Sequence, residues 1–336
     1  MKKHVILWAS MVLFVFGILV FPNAPQAAPY YEGKILRMIV GFTPGGGYDR
    51  MTRLLARHLP KHIPGKPSVI VENMEGASSI IASNYLYNIA KPDGLTIGTF
   101  NRALPFAQVI KLDGVKFDIR KYSWIGSTAV EGTVLTLRTD LPYKTVEDLR
   151  KVKEPIPLGC SGAGTLDYQF PLLLKEFVGL NLKMVIYVSS AETMLAVEKK
   201  EVDGRAGSYS SLRPFIERKV VRPWIRGRVS ERGIENVPVN EDLATDKKGK
   251  AILAMFSAAD LIGRPYVAPP GTPAEVMKIL KEAFAKVCKD PQLKEESKKA
   301  MMEVDYTPAE EIMKVINFTF NQPEDIIKEF SKYVKF

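Results

Sequence analysis

The feature that most constrains this fold is a combination of apolar strand, glycine-rich turn and helix that occurs once in each half of the chain. The first unit joins the apolar run 35–42 to the turn 43–47, and the second joins 156–160 to 161–165. A helical pattern follows each turn. Apolar strands that alternate with helices predict βαβ units and mostly parallel sheets, so an α/β protein is expected.

The same alternation extends through the rest of the chain. Short apolar runs predict further strands at 68–71, 95–100 and 183–187. Thr272 and Thr307 each precede a Pro-Ala-Glu sequence, which predicts two capping boxes in a mainly helical C-terminal region. In open α/β sheets, ligands bind where turns leave the carboxyl ends of strands. Two lobes with a ligand cleft between them are therefore expected.

The N-terminal segment has the pattern of a secretory signal peptide. Lys2 and Lys3 precede the apolar run 5–21, and a small, polar stretch follows at 22–28. Cleavage at the end of this stretch would export the mature protein to the periplasm. An uncleaved anchor is the alternative, although the run spans only about 25 Å as a helix, short of a bilayer core of about 30 Å.

Composition fits a globular protein of about two domains. The 336 residues include 46% apolar and 25% charged residues. The formal net charge is +10, and removal of 1–28, which holds two lysines and no acidic residue, leaves +8. Much of the excess lies in 205–232, which is either a solvated face or a contact for an anionic ligand or acidic partner. In an exported protein, nucleic acid is not expected as a partner.

Enzyme signatures in this sequence are incomplete. His58 and His62 have i, i+4 spacing but lack the glutamate of a zinc motif. The segment 159–163 approaches a nucleophile elbow but ends in alanine, and no dinucleotide or P-loop fingerprint is complete. Cys160 and Cys288 are too few for a disulfide framework. No metal, cofactor or catalytic residue is therefore predicted.

Anion binding needs fewer residues than catalysis. The first turn of a helix leaves backbone N–H groups without intrahelical acceptors and carries a partial positive charge. A glycine-rich approach lets a carboxylate or phosphate come close to these groups. The stretches 44–49 and 161–167 both have this form, one in each half of the chain. Either stretch alone is more often just a tight turn, whereas the pair predicts a binding cleft.

Short motifs spread over the whole mature chain resemble those of one protein family. They are Val40–Asp49, Val71–Ala77, Lys91–Thr96, Gly159–Thr165, Val202–Gly204 and Ala268–Pro273. The first three follow one another between positions 40 and 96, which makes the combination specific. The chain thereby resembles the Bug-type receptors, the extracytoplasmic solute-binding proteins of tripartite tricarboxylate transporters.

The resemblance implies a two-lobed periplasmic-binding-protein fold of the Venus flytrap type II kind, with two crossover strands. It implies a signal peptide at 1–28, a first lobe from 29–132 and 266–336, and a second lobe from 133–265. Receptors of this family capture small organic carboxylates and deliver them to a two-component membrane permease. The chain is accordingly expected to be a periplasmic, monomeric receptor with no enzymatic activity and no cofactor.

The resemblance also implies which residues bind the ligand, since the family holds a carboxylate with backbone groups of both glycine-rich loops. Carried over to this chain, the ligand-binding residues are Phe42, Thr43, Gly45, Gly46, Gly47, Gly76, Ala77, Ser78, Ser161, Gly162, Ala163, Gly164 and Thr165. Asp49 would repel an anion, so it is expected to cap the helix. Arg102 is a candidate for a second carboxylate, with a surface position as the alternative, and Tyr209 is a further candidate.

Three segments depart from the family pattern and leave the substrate open. They are 187–190, 205–209 and 231–250. Two other functions also stay open at this point. The protein could report its ligand to a membrane kinase, which the sequence does not distinguish from transport. A hydrolase that uses Ser161 or Cys160 is the other alternative, and it lacks a suitable triad histidine.

Overall fold

The computed structural model describes residues 28–334, which form two sheets with helices packed against them. The predicted signal peptide at 1–28 lies outside the described residues except for Ala28. Within 28–334, every helix is too short or too polar to cross a bilayer.

The strands belong to one six-stranded and one five-stranded sheet. They are β1 (Ile35–Val40), β2 (Ser68–Asn73), β3 (Thr96–Thr99), β4 (Ser123–Ser127), β5 (Thr133–Arg138), β6 (Ile156–Cys160), β7 (Leu182–Ile186), β8 (Gly204–Ser208), β9 (Val221–Arg226), β10 (Pro265–Ala268) and β11 (Thr307–Pro308). The first sheet has the order β11-β4-β10-β3-β1-β2, and the second has the order β7-β6-β8-β5-β9.

Both sheets are mixed, so the prediction of mostly parallel sheets is wrong. In the first sheet, β1 is parallel to β2 and β3, whereas β10 is antiparallel to β3 and β4. In the second, β6 is parallel to β7 and β8, whereas β5 is antiparallel to β8 and β9. Two of the reversed strands, β5 and β10, are the ones that enter a sheet from the other one. The chain crosses at 128–132 and again at 227–264, which confirms the expected two-lobed fold with two crossovers.

Helices connect most of the strands and pack against both sheets. They are α1 (Gly47–His58), α2 (Ile80–Asn88), α3 (Leu104–Val109), α4 (Val146–Arg150), α5 (Leu166–Val178), α6 (Ser190–Glu198), α7 (Tyr209–Glu217), α8 (Lys247–Ala258), α9 (Ala274–Val287), α10 (Pro291–Lys299), α11 (Ala309–Phe320) and α12 (Glu324–Tyr333). In the two predicted units, α1 and α5 begin directly after the glycine-rich turns. Their N-termini therefore lie at the carboxyl ends of β1 and β6.

The two predicted capping boxes of the C-terminal region do not form. Thr272 Oγ1 donates to Pro269 O at 2.8 Å, and Pro273, which has no capping side chain, precedes α9. Thr307 belongs to β11, and Pro308 precedes α11. Because each helix begins one residue later than predicted, each threonine lies outside the N-cap position.

The last helix packs on the core of the second sheet. Phe330 of α12 is fully buried, and its ring centroid lies 4.9 Å from that of Phe106 in α3. Both phenylalanines belong to the cluster that contains Leu158 and Phe170 of the second sheet's layer. The predicted division assigns 266–336 to the first lobe, but the packing joins the last helix to the second.

Candidate ligand-binding cleft

A cleft of about 590 Å³ lies between the two sheets, and both glycine-rich turns line it. Of the residues predicted to bind ligand, those that line the cleft are Phe42, Thr43, Gly46, Gly47, Gly76, Ala77, Ser78, Ser161, Gly162, Ala163, Gly164 and Thr165. Gly45 instead lines an adjoining chamber of about 340 Å³. The volume of the cleft is within the range of small-molecule binding sites.

In the first turn, the carboxylate of Asp49 faces the protein rather than the cleft. Gly46 precedes α1 as its N-cap, and Asp49 Oδ2 accepts a hydrogen bond from Gly45 N at 2.8 Å. Arg53 Nε lies 2.9 Å from Asp49 Oδ1, and Asn73 Nδ2 donates to the same oxygen at 3.0 Å. Burial alone would raise the pKa of Asp49, but these hydrogen bonds outweigh it and hold the pKa below its ordinary value.

In the second turn, Asp167 binds donors of the turn itself with its carboxylate. Its Oδ2 accepts from Ser161 N at 3.1 Å and from Ser161 Oγ at 2.9 Å, and its Oδ1 accepts from Thr165 Oγ1. Arg205 Nη2 donates to Oδ2 at 2.9 Å. Sequence reasoning did not single out Asp167, although its place in the first turn of α5 matches that of Asp49 in α1.

A third part of the cleft wall has an unusual backbone. Four consecutive residues have positive φ: Gly76 (+127°), Ala77 (+43°), Ser78 (+51°) and Ser79 (+81°). Ser79 holds this turn in place, because its Oγ donates to Gly41 O at 2.9 Å and accepts from Asn101 N at 3.2 Å. Left-handed conformations of non-glycine residues are strained and concentrate at functional sites. The turn forms the wall opposite the α5 loop.

Two arginines that sequence reasoning did not assign to the ligand also line the cleft. Arg205 is the partner of Asp167, and its other nitrogens donate to Ser190 O at 2.8 Å and Ala206 O at 3.0 Å. Arg264 is almost completely buried, and its Nη1 lies 3.0 Å from Glu131 Oε1. Arg205 lies in the departing segment 205–209, whereas no local signal in the sequence distinguishes Arg264.

Arg102 and Tyr209, the other two predicted binding residues, do not line the cleft. Arg102 is fully buried, so the alternative of a surface position is wrong as well. Its Nη2 lies 2.9 Å from Asp260 Oδ1 and donates to Thr133 Oγ1 at 2.7 Å. Tyr209 is buried in an apolar cluster of the second lobe with Leu212. Both corrections have one cause, which is burial by segments distant in sequence.

Much of the basic stretch 205–232 is paired within the protein. Arg213 Nε lies 2.8 Å from Glu217 Oε1, and Arg228 Nη2 lies 3.0 Å from Glu241 Oε1. The guanidinium carbon of Arg222 lies 4.1 Å from the ring centroid of Trp224. These contacts favour a solvated, internally balanced face over an anion-binding surface.

Groups needed for hydrolysis are not assembled at the second turn. Burial, together with the nearby charge of Asp167, raises the pKa of Cys160 to about 12. The Oγ of Ser161 donates to Asp167. His62 lies elsewhere, where its Nε2 is 2.9 Å from Asp290 Oδ2. Among residues 28–334, no three His, Cys, Asp or Glu side chains cluster as a metal site would require.

The fold and the cleft define a class: a two-lobed α/β binding protein with its ligand site between the lobes. The model of the tripartite tricarboxylate transporter family receptors, TctC, matches residues 51–331. The chain therefore belongs to this family of receptors, as the motifs predicted. Members of this family are solute-binding receptors rather than enzymes.

Known proteins of similar sequence and structure extend over nearly the whole chain. A UPF0065 protein from the gbd 5′ region of Cupriavidus necator is 26% identical over 98% of this chain and 97% of its own length. The periplasmic binding protein BugD has a TM-score of 0.73 at 21% identity and covers 91% of this chain and 99% of its own. An adipate-bound Rhodopseudomonas palustris protein has a TM-score of 0.71 at 18% identity, covering 90% and 98% respectively. MatC from the same species, with bound malate, has a TM-score of 0.66 at 17% identity, covering 90% and 99%.

Proposed function

We propose that this protein is a periplasmic receptor that captures a small organic carboxylate between its lobes and delivers it to a two-component membrane permease. One observation carries the proposal: two glycine-rich turns, each followed by a helix N-terminus, line one cleft from opposite lobes. Helix N-termini favour anions, and glycine lets them approach the backbone. Two similar folds in the solved structures hold the dicarboxylates adipate and malate.

The proposed ligand-binding set follows the cleft wall. From the first lobe it contains Phe42, Thr43, Gly46, Gly47, Gly76, Ala77 and Ser78, and from the second Ser161, Gly162, Ala163, Gly164 and Thr165. Because the two groups belong to different lobes, a ligand that contacts both stabilises the closed arrangement over an open one. The permease would then recognise the closed state of the receptor.

The proposed lobes are 29–132 with 266–323, and 133–265 with 324–334. The last helix is transferred to the second lobe because α12 packs against α5 and α8. Closure would bend the chain at 128–132 and 258–264, where the crossings hold buried ion pairs. It would also bend the chain at 321–323, which joins α11 of the first lobe to α12. Export through the signal peptide at 1–28, a monomeric state and independence from a cofactor complete the proposal.

The test is a thermal-shift screen of the mature protein against citrate, C4–C6 mono- and dicarboxylates, benzoate, terephthalate, aspartate and glutamate. The protein is unfolded and refolded first, so that ligand retained from the cell is removed. A ligand at 100 times its dissociation constant stabilises by about 2.7 kcal/mol, which raises Tm by roughly 5–10 °C for lobes of this size. A carboxylate hit supports the proposal, and a refolded protein that responds to no carboxylate contradicts it.

The glycine-rich turn offers a second test of the same proposal. A Cβ built on Gly46 has a single neighbour within 4 Å, Thr43 O at 3.7 Å, so Gly46→Ala adds a methyl group to the cleft wall without disturbing the fold. We expect a carboxylate hit to bind the variant several-fold more weakly at unchanged stability. Equal affinity in calorimetry would remove this turn from the site.

A further inference from the structure

The two helix N-termini of the cleft, which look equivalent in sequence, differ in their electrostatics. At α5, Asp167 and Arg205 both line the cleft and pair with each other at 2.9 Å. The carboxylate of Asp167 already accepts from the Ser161 backbone and from the hydroxyls of Ser161 and Thr165. This end is therefore neutral overall, and the Ser161 N–H and the two hydroxyl groups already donate to the protein's own carboxylate.

At the α1 N-terminus, the charged side chain that lines the cleft is a cation rather than an aspartate. Asp49 does not line the cleft, whereas Arg264 does. A Cβ built on Gly47 would lie 2.7 Å from Arg264 Nη2, so the guanidinium lies against the first residue of α1. Glu131, the acidic partner of Arg264, does not line the cleft. The pair thus presents its positive end to the ligand space.

Ser211 adds a donor at the same place. Arg264 Nη2 donates to Ser211 Oγ at 3.3 Å and to Ser210 Oγ at 3.0 Å. Because a guanidinium can only donate, Ser211 Oγ accepts this bond and keeps its own proton for another acceptor. Ser210 uses its proton on Glu131 Oε2 at 2.8 Å, whereas Ser211 lines the cleft. Ser211 is therefore placed to donate to an anion at the α1 N-terminus.

The charged side chains of the cleft wall can balance the charge of one anionic group of a ligand. Within 28–334, the charged side chains that line it are Glu75, Asp167, Arg205 and Arg264. Asp167 and Arg205 cancel each other, Glu75 is negative, and Arg264 alone has its partner outside the cleft. A second carboxylate at the α5 end would meet Asp167 without a free cation, whereas Leu166 and Val188 line that end for an apolar group.

We infer that the ligand is a monocarboxylate whose single charged head binds at the α1 N-terminus with Arg264 and Ser211, and whose uncharged remainder extends toward α5. This inference rests on the proposed function, since it assigns the ligand's charge and orientation within that cleft. Arg264 is thus the residue that determines specificity for one carboxylate, and Gly47 is small because the guanidinium approaches it.

The ligand side of the test uses pairs of acids with the same carbon skeleton: butyrate with succinate, hexanoate with adipate, and 4-methylbenzoate with terephthalate. Dissociation constants are measured by calorimetry on the refolded mature protein. We expect the better-bound pair to favour the monocarboxylate by about tenfold or more, because the second carboxylate loses its hydration without gaining a cation. A diacid that binds as tightly as its partner or more tightly would overturn the single-head inference.

The protein side of the test removes charge at Arg264. Arg264→Gln leaves Glu131 buried and unpaired, so Arg264→Gln/Glu131→Gln is measured beside it, together with Arg264→Lys. The matched control is Arg138→Gln/Asp203→Asn, which removes another ion pair that is mostly buried and lies away from the cleft-lining residues and the crossings. We expect the Arg264 double variant to lose at least tenfold in monocarboxylate affinity, Arg264→Lys to retain part of it, and the control to stay within about threefold of wild type.

The outcomes separate this inference from the proposed function. An equal loss of affinity in the Arg264 and Arg138 double variants would show that Arg264 acts only through the fold, and would overturn its role. Tight dicarboxylate binding that does not depend on Arg264 would overturn the inference while the receptor function stands. Binding of uncharged solutes by a protein that binds no carboxylate would contradict both.

Discussion

Arg102 Nη2 lies 2.9 Å from Asp260 Oδ1, and this fully buried ion pair joins the segment after β3 to the second crossing between the lobes. Asp260 also accepts from Thr133 N at 2.9 Å and Thr133 Oγ1 at 2.6 Å, which ties it to the start of β5. The pair therefore connects the first lobe to the second crossing and to β5 of the second lobe.

Removal of one partner of this ion pair should destabilise the protein strongly. Arg102→Gln leaves the Asp260 carboxylate buried without a cation, and we expect the free energy of unfolding to fall by about 3–5 kcal/mol. Urea unfolding measures this. The control is Arg37→Gln, which removes an ion pair with Glu72 whose side chains are 39% and 38% exposed and should cost less than about 1 kcal/mol. Similar losses in the two variants would contradict a structural role for Arg102.

The sequence predicted the parts of the fold that depend on local patterns. Apolar runs and glycine-rich turns are local signals, so the strand at 156–160 and the start of α5 after the turn 161–165 agree with the structure. Strand direction was not predictable in this way, because β5 and β10 are reversed by the crossings between the sheets. A local hydrophobic pattern does not show whether the chain enters a strand from the same sheet or from the other one.

The residues that the sequence misassigned depend on distant contacts. Arg102 and Asp260 are 158 positions apart, and nothing near either residue indicates that they meet. The role of Arg264 depends in the same way on Glu131 and on the close approach of Gly47. The motif resemblance predicted which glycine-rich loops line the cleft. The charged side chains that line it could be identified only from the three-dimensional arrangement.

Closure of the cleft should depend on Asn101. Its Nδ2 donates across the cleft to Gly164 O at 3.1 Å, and its Oδ1 accepts from Ala103 N at 3.0 Å near the start of α3. We expect Asn101→Ala to weaken ligand binding about two- to tenfold, since one hydrogen bond between the lobes is lost. Calorimetry with the best carboxylate measures the effect.

The control for Asn101 removes only a helix cap. Thr145 Oγ1 accepts from Asp148 N at 3.1 Å at the start of α4, away from the cleft-lining residues. Thr145→Ala should lower stability by about 1 kcal/mol and leave affinity unchanged. Unchanged affinity in Asn101→Ala as well would mean that this bond is absent from the ligand-bound state.

Stability should fall with rising pH because of Glu231. Burial and then repulsion by Glu131 and Glu303 raise the pKa of this carboxyl from an ordinary value of 4.5 to about 8, although a hydrogen bond from Gly132 N and attraction by Arg264 act in the opposite direction. Between these two values the folded protein holds a proton that the unfolded chain releases, so stability is lost as pH rises through this window. Urea unfolding between pH 5 and about 8.5 measures the slope.

Glu231→Gln should flatten that pH dependence, because the amide does not titrate. Glu235→Gln, in the same loop, is the control. Its backbone hydrogen bonds lower the pKa of Glu235, so its contribution changes only at more acidic pH. The same slope in wild type and Glu231→Gln would show that Glu231 does not hold its proton in the folded protein.

Both thiols should be inert in the folded protein and reactive once it unfolds. Cys160 and Cys288 are buried, and burial raises the pKa of each to about 12, so almost no thiolate exists at pH 8. We expect intact-mass spectrometry to find no alkylation by iodoacetamide under native conditions and two adducts in denaturant. Native alkylation of Cys160 at the rate of a free thiol would place an accessible nucleophile beside the cleft and reopen the hydrolase alternative. Protection of both thiols would leave the hydrolase alternative without a reactive thiol at the second turn, where Ser161 Oγ already donates to Asp167.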